Sequence, residues 1–260
     1  IPVCKLKDKT VFWIALILLL QPYEWGRAIY AMINPDYVVS TGHFMPYAIR
    51  AQEATANGNF FEVLCSNISD GQLYSNIWQV ENGRLFQTAA LFMFGMLLGR
   101  RKYLIKSEES VRFWKKMLKG AVLAFIPLYC LKTFVPDLLT NPSVQIPYKI
   151  AVPSYANFAF MIILVSIFTL LWFKKEKGYG WQSLLIPYGR MSLTNYISQS
   201  IMGVIIYYGF GLAMYKYAGA TASLLIALLI FTVQLIFSRW WLARHKQGPL
   251  EFLWRKGTWI

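Results

Sequence analysis

With two histidines and three cysteines in 260 residues, the chain has little of the chemistry that metalloenzymes and redox proteins use. Two histidines cannot build a three-histidine centre, and Cys4, Cys65 and Cys130 have no metal or redox spacing, so no metal site is expected. Cys130 lies in an apolar run and Cys4 in a basic one, and neither suggests a disulfide framework. Acidic residues are scarce too, with 12 Asp and Glu against 26 Lys and Arg, and charged residues make up only 15% of the chain. Soluble domains average about 25% charged and about 45–50% apolar. The sequence also lacks a Walker loop, a dinucleotide fingerprint, HExxH and Gly-x-Ser-x-Gly, which removes the common nucleotide, zinc-protease and hydrolase signatures.

What is abundant is apolar: 57% of residues are hydrophobic and 17% aromatic, gathered in runs rather than in alternation. The reading is an all-α integral membrane protein, a bundle of about six transmembrane helices with a C-terminal interfacial helix. Spans are expected over 10–32, 84–99, 119–135, 154–173, 190–217 and 218–237. They leave a long outer loop over 33–83 and a basic, aromatic tail over 238–260 that suits the headgroup layer. Pro22 should kink the first span, and Gly95 with Gly99 suit close helix packing in the second. On this layout 20 of the 26 Lys and Arg fall on one side, which places that side and both ends in the cytoplasm. The net charge of +14 is then a property of cytoplasmic loops and lipid contact, and no nucleic-acid partner is expected. The opening IPVCKLKDK reads as the tail of an apolar segment entering a basic loop, so a start partway through a longer protein is expected.

The organising stretch is IPYGRMSLTNYISQSIMGVIIYYGFGLAMY, from Ile186 to Tyr215. It is apolar enough to span, yet Ser192, Asn195, Gln199 and Gly203 recur at helical spacing and fall on one face. An unpaired amide in hydrocarbon costs several kcal/mol, so this helix should be central, its stripe turned to other helices or to a wet cavity. Packing glue and a site lining both fit. Asn195 should tolerate apolar replacement least. In the first span Glu24 and Arg27, three apart, can pair, or can simply mark a helix end beside an aromatic belt. His43, following Thr41-Gly42 in the outer loop, is either a solvated loop residue or a general base, a role for which imidazole is suited.

GRMSLTNYISQSIMGVIIYYGFGLAMY and the ending GPLEFLWRKGTW, from Gly248 to Trp259, together resemble the C-terminal domain of YeiB-like bacterial membrane proteins, the family of domain of unknown function 418. The resemblance is best supported from about Phe86 onward. It implies a bacterial cytoplasmic (inner) membrane protein whose fuller members carry a further N-terminal membrane half with a D-x-L-R-G-like segment, absent here. It also implies a distant likeness to membrane acyltransferases, among them the lysosomal heparan glucosaminide acetyltransferase. In that analogy acetyl-CoA or another acyl-CoA is the cytoplasmic donor, as a substrate and not a bound cofactor, and a cell-surface sugar is the acceptor. No catalytic residue of those relatives matches a motif here one-to-one, so none is carried over.

Three functions remain open: an acyltransferase, a small-molecule or lipid transporter, and a non-catalytic scaffold. For the first, His43 would be the catalytic base and Ser192, Asn195, Gln199, Glu24 and Arg27 would line the cavity. Arg190, at a helix N-terminus that favours anions, would hold donor phosphate. Partners would be membrane lipids, the N-terminal half of the same protein and, for a homodimer, a second copy. No internal inverted symmetry, which would favour transport, is visible.

Overall fold

A computed structural model describes residues 2–34, 36–174 and 180–258. Lys175 and Lys177 of the basic linker and Trp259 of the closing motif lie outside the described residues. Those that are described form twelve α-helices and no strand. In chain order the first six are α1 (Asp8–Leu19), α2 (Pro22–Ile33), α3 (Met45–Asn57), α4 (Phe60–Ser66), α5 (Gln72–Glu81) and α6 (Arg84–Arg100). The other six are α7 (Glu108–Phe134), α8 (Pro142–Lys174), α9 (Trp181–Arg190), α10 (Ser192–Tyr207), α11 (Ala220–Leu242) and α12 (Pro249–Thr258). Contacts divide them into two units, Ile1–Met45 with Ser75–Lys174, and Pro46–Tyr74 with Lys175–Ile260.

Among the described residues three helices are long and apolar enough to cross a membrane: Glu108–Leu138, Pro142–Lys174 and Ala220–Leu242. The stretches expected to span at 10–32, 84–99 and 190–217 are shorter elements. The first is two 12-residue helices, the second has 17 residues, and the third is the 16-residue α10 followed by a single turn at Met214–Lys216, α9 ending at Arg190. The stretch 33–83, expected as an outer loop, is itself largely helical, in α3, α4 and α5. In the tail, α11 continues to Leu242 before the chain turns into α12.

In the first unit α8 is the axis, packed against α2 and α7, while α1 packs on α6. Its inward face carries small residues, Ala151, Ser154, Ala156 and Ala159, all buried, which let neighbouring backbones approach closely. The most buried helix is therefore α8, in the first unit, and not the polar-striped helix expected in that role. Gly95 and Gly99, expected at a close helix crossing, have nothing within 4 Å of a would-be Cβ; Ala90 and Met93 of α6 are buried instead.

The α1–α2 break has a local cause and a tertiary lock. Pro22 is a favoured first helical residue because it has no N–H to leave unpaired, and Gln21 before it turns left-handed, at φ +54°. The Gln21 amide, fully buried, donates to the Gly83 carbonyl (3.0 Å) and to Ser154 Oγ (3.3 Å). Tyr155 of α8 donates its hydroxyl to the freed Leu20 carbonyl and accepts from Trp25 Nε1. Gly83 is itself left-handed, at φ +63°, and a Cβ there would collide with the Gln21 side chain. Two positions remote in sequence thus close one joint.

Candidate functional site

In the second unit the two stretches that carry the family resemblance meet. The Glu251 carboxylate accepts from the backbone N–H of Leu193 (2.8 Å) and Thr194 (3.1 Å) and from the Thr194 hydroxyl (2.5 Å). Thr194 Oγ1 accepts in turn from the Leu250 amide (3.2 Å). These are the orphan donors of the α10 N-terminus, and a carboxylate there also complements the helix dipole. Gly248 lies so close that a Cβ would strike the Glu251 carboxylate. The Arg190 guanidinium donates to the Lys246 carbonyl (2.8 Å). The helix start expected to attract a donor phosphate is therefore already occupied by a carboxylate from α12. An intramolecular anion thus satisfies those amides.

Burial alone would raise the Glu251 carboxyl. The Thr194 hydroxyl, and then the Thr194, Glu251 and Leu193 amides, outweigh burial and leave it below the ordinary carboxylate range. A depressed folded value means the clasp is fully present at neutral pH and is lost as pH falls through that lowered value. Acidification should thus release α12 from α10, and Glu251→Gln should weaken the contact by about 1.5–3 kcal/mol at neutral pH and flatten its acid dependence. Fluorescence of Trp254 during acid titration of both proteins is the measurement. An acid transition unchanged in the variant would refute the role of the carboxylate.

The next residue, Asn195, is only 2% exposed. Its amide donates to the Tyr188 carbonyl (3.1 Å) and to Ser238 Oγ (3.0 Å). Gln234 Nε2 donates to the Asn195 carbonyl (2.8 Å) and to Ser198 Oγ (2.9 Å), and its carbonyl accepts from the Tyr188 hydroxyl (3.3 Å). The buried face of α10 is accordingly Thr194, Asn195 and part-buried Ser198; Ser192 and Gln199 are exposed. The stripe drawn through Ser192, Asn195 and Gln199 is corrected to a narrower one. Only its middle residue meets α11, and there its hydrogen bonds are internal to the protein, those of packing glue.

The first unit holds a different constellation. Gly42, at φ +87°, lets two successive amides converge on one carboxylate: Gly42 N–H donates to Glu81 Oε2 (2.9 Å) and His43 N–H to Glu81 Oε1 (3.0 Å). Such a pair of amides is an anion nest. His43 Nδ1 also meets Glu81 Oε1, at 2.5 Å, and His43 Nε2 meets Ser40 Oγ at 2.9 Å. A carboxylate can only accept, so Nδ1 carries a proton toward Glu81, and in that tautomer Nε2 is the nitrogen that can accept from the serine hydroxyl. The order hydroxyl, imidazole, carboxylate is that of a nucleophile–base–acid relay. His43 is 60% exposed at its side chain and Glu81 14%.

The strand of chain that bears Ser40 is held from two sides. Val39 N–H donates to Ser143 Oγ (3.2 Å), and Arg27 Nη2 donates to the Ser40 carbonyl (3.4 Å). Arg27 pairs with buried Glu24 at 3.2 Å. Of the two readings left open for Glu24 and Arg27, the pair is formed, and it steadies the Ser40 backbone.

A model of the family described as "Protein of unknown function (DUF418)" matches residues 98–260, well over half of the chain. The chain belongs to the DUF418 family. A 72-residue stretch is 42% identical to the uncharacterised protein YxaH of Bacillus subtilis (strain 168), covering 28% of this chain and 18% of that one. Another, of 76 residues, is 45% identical to an uncharacterised 39.9 kDa protein of the amylase 3' region of Bacillus acidopullulyticus, covering 29% and 21%. The similarity to YeiB of Escherichia coli (strain K12) is 36% over 70 residues, 27% of this chain and 18% of that one. The chain thus covers about a fifth of the length of these curated relatives. No solved structure matches. Within this DUF418 chain the clasp of Glu251 and the Asn195 network fall inside the matched residues, while Ser40, His43 and Glu81 precede them.

Sequence reasoning missed Gln234 and Ser238, although two polar residues four apart in an apolar helix are a visible signal. Thr194, Ser40 and Glu81 carried no such signal. Glu81 lies 38 residues beyond His43, and no local period connects them.

Proposed function

We propose that this DUF418 chain forms part of a multi-pass enzyme of the bacterial cytoplasmic membrane, with six crossings and both ends of the segment cytoplasmic. It moves an acyl group from a cytoplasmic acyl-CoA to a hydroxyl of a cell-surface sugar. The observation that carries this reading is the hydrogen-bonded order Ser40, His43, Glu81. Glu81 fixes the imidazole tautomer, and Nε2 is left to accept a proton from a hydroxyl as it attacks an acyl carbon. The charge asymmetry supports an outer position for this relay, on the side where the sugar would be. The acyl group has about 30 Å of hydrocarbon to cross, so the relay suits activation of the acceptor and not handling of CoA.

The test uses the full-length protein in sealed vesicles, with labelled acetyl-CoA on one side and a sugar acceptor on the other. Label on the acceptor is the expected result; label on no sugar offered would remove this reading. A lipid or small-molecule transporter is the second reading, and an apolar cavity of about 660 Å³ in the first unit favours it. Its lining includes Phe12, Trp13, Phe94 and Phe158, with Lys9 and with Arg101 paired to Asp8 at 3.5 Å, dimensions that suit an acyl chain. Movement of lipid across the same vesicles without any acyl transfer would favour this second reading.

A further inference from the structure

We propose that Ser40 is a covalent nucleophile: the acyl group rests on its Oγ as an ester before it passes to the acceptor. The inference rests on the reading of His43 as a base, and adds a residue and an intermediate to it. Three observations converge. Ser40 Oγ lies 2.9 Å from His43 Nε2, the ring nitrogen whose partner Nδ1 is committed to Glu81. Ser40 is exposed, so an ester-bearing substrate has access. Its backbone is fixed on both sides, by Ser143 through Val39 and by Arg27 through its own carbonyl, and nucleophilic catalysis depends on such fixed geometry. A serine that merely capped the turn would have no need of a histidine whose far nitrogen is held by a carboxylate bound to two amides.

The chemistry balances with an acyl ester presented at the outer face as donor and a hydroxyl as acceptor. Ser40 Oγ adds to the carbonyl carbon as its proton moves to His43 Nε2. The bond from carbon to the leaving oxygen breaks, and His43 returns the proton to that atom as it departs. In the second half the acceptor hydroxyl gives its proton to Nε2 and attacks the serine ester. The carbon–Oγ bond breaks and Ser40 recovers the proton. Glu81 stays ionised throughout as a positioning residue for the imidazole.

A fluorophosphonate probe, which esterifies activated serines, tests this on the full-length protein in native membranes. Labelling should map to the peptide containing Ser40, vanish in Ser40→Ala, and slow by about 100-fold or more in His43→Ala and Glu81→Gln. In case Ser40→Ala perturbs the loop, Ser40→Cys provides a second reading. Its thiol should react with iodoacetamide faster than the same thiol in the Ser40→Cys, His43→Ala double variant. Absence of label at Ser40, or a rate indifferent to His43, would overturn the proposal. So would full acyl transfer by Ser40→Ala alongside a dead His43→Ala, which would leave the base role standing. Label at Ser40 with no transfer to any sugar would instead uphold the nucleophile and sink the acyltransferase reading.

Discussion

His43→Ala should lower acyl transfer by about 10²- to 10⁴-fold, the usual contribution of a positioned general base. At 1.36 kcal/mol per tenfold this is about 2.7–5.5 kcal/mol of barrier. The loss should fall on kcat, because the proton moves only in the reacting complex. Glu81→Gln is the sharper companion. An amide has one acceptor oxygen where the carboxylate has two, and an NH₂ turned toward His43 would face its Nδ1–H and its backbone N–H, donor against donor. The ring would then lose its fixed tautomer while keeping most of its volume and place. If the relay is chemical, Glu81→Gln should depress turnover and alter the pH profile of what remains. If Glu81 only closes a loop, stability should drop with the pH profile unmoved. Turnover unchanged in both variants would take these residues out of the mechanism.

The second large effect concerns the fold. Asn195→Leu removes both donors and the acceptor that face Ser238 and the Tyr188 carbonyl. Ser238 is fully buried, and its hydroxyl would keep no side-chain partner, at a cost of about 1–3 kcal/mol beyond the lost bonds. Ile201→Leu, on the exposed side of the same helix, should change little. Thermal unfolding in detergent can compare the two. Removing both polar partners of a pair with apolar groups is often nearly neutral, so Asn195→Leu with Ser238→Ala should be milder than the sum of the single changes. Strict additivity would show that the two side chains do not act together.

Much of the architecture was legible in the residues because it is local. Apolar runs of helical length, with 15% charge overall, leave helices as the form in which backbone groups satisfy themselves in lipid. Pro22 announced the joint after α1 by the same logic, since a residue without an N–H belongs at a helix start. The motif pair GRMSLTNY and GPLEFLWR pointed to the family from sequence alone, although nothing in either string says why the two occur together. The structure supplies the reason, in the amides of Leu193 and Thr194 closed by Glu251.

Which face of α10 is buried was a tertiary decision. Helical spacing places Ser192, Asn195 and Gln199 together, but it also places Ser198 beside both Asn195, three before it, and Thr194, four before it. The choice fell to Gln234 and Ser238 on α11, which reach Asn195 and Ser198, and to Glu251, which takes Thr194. The relay was beyond sequence reading for a related reason. Residues three apart, such as Ser40 and His43, are a commonplace spacing. Their chemistry appears only when the last residue of α5 brings a carboxylate to the far nitrogen of the ring. Periodicity follows from the geometry of one helix; a hydrogen bond between distant segments follows from how the whole chain packs.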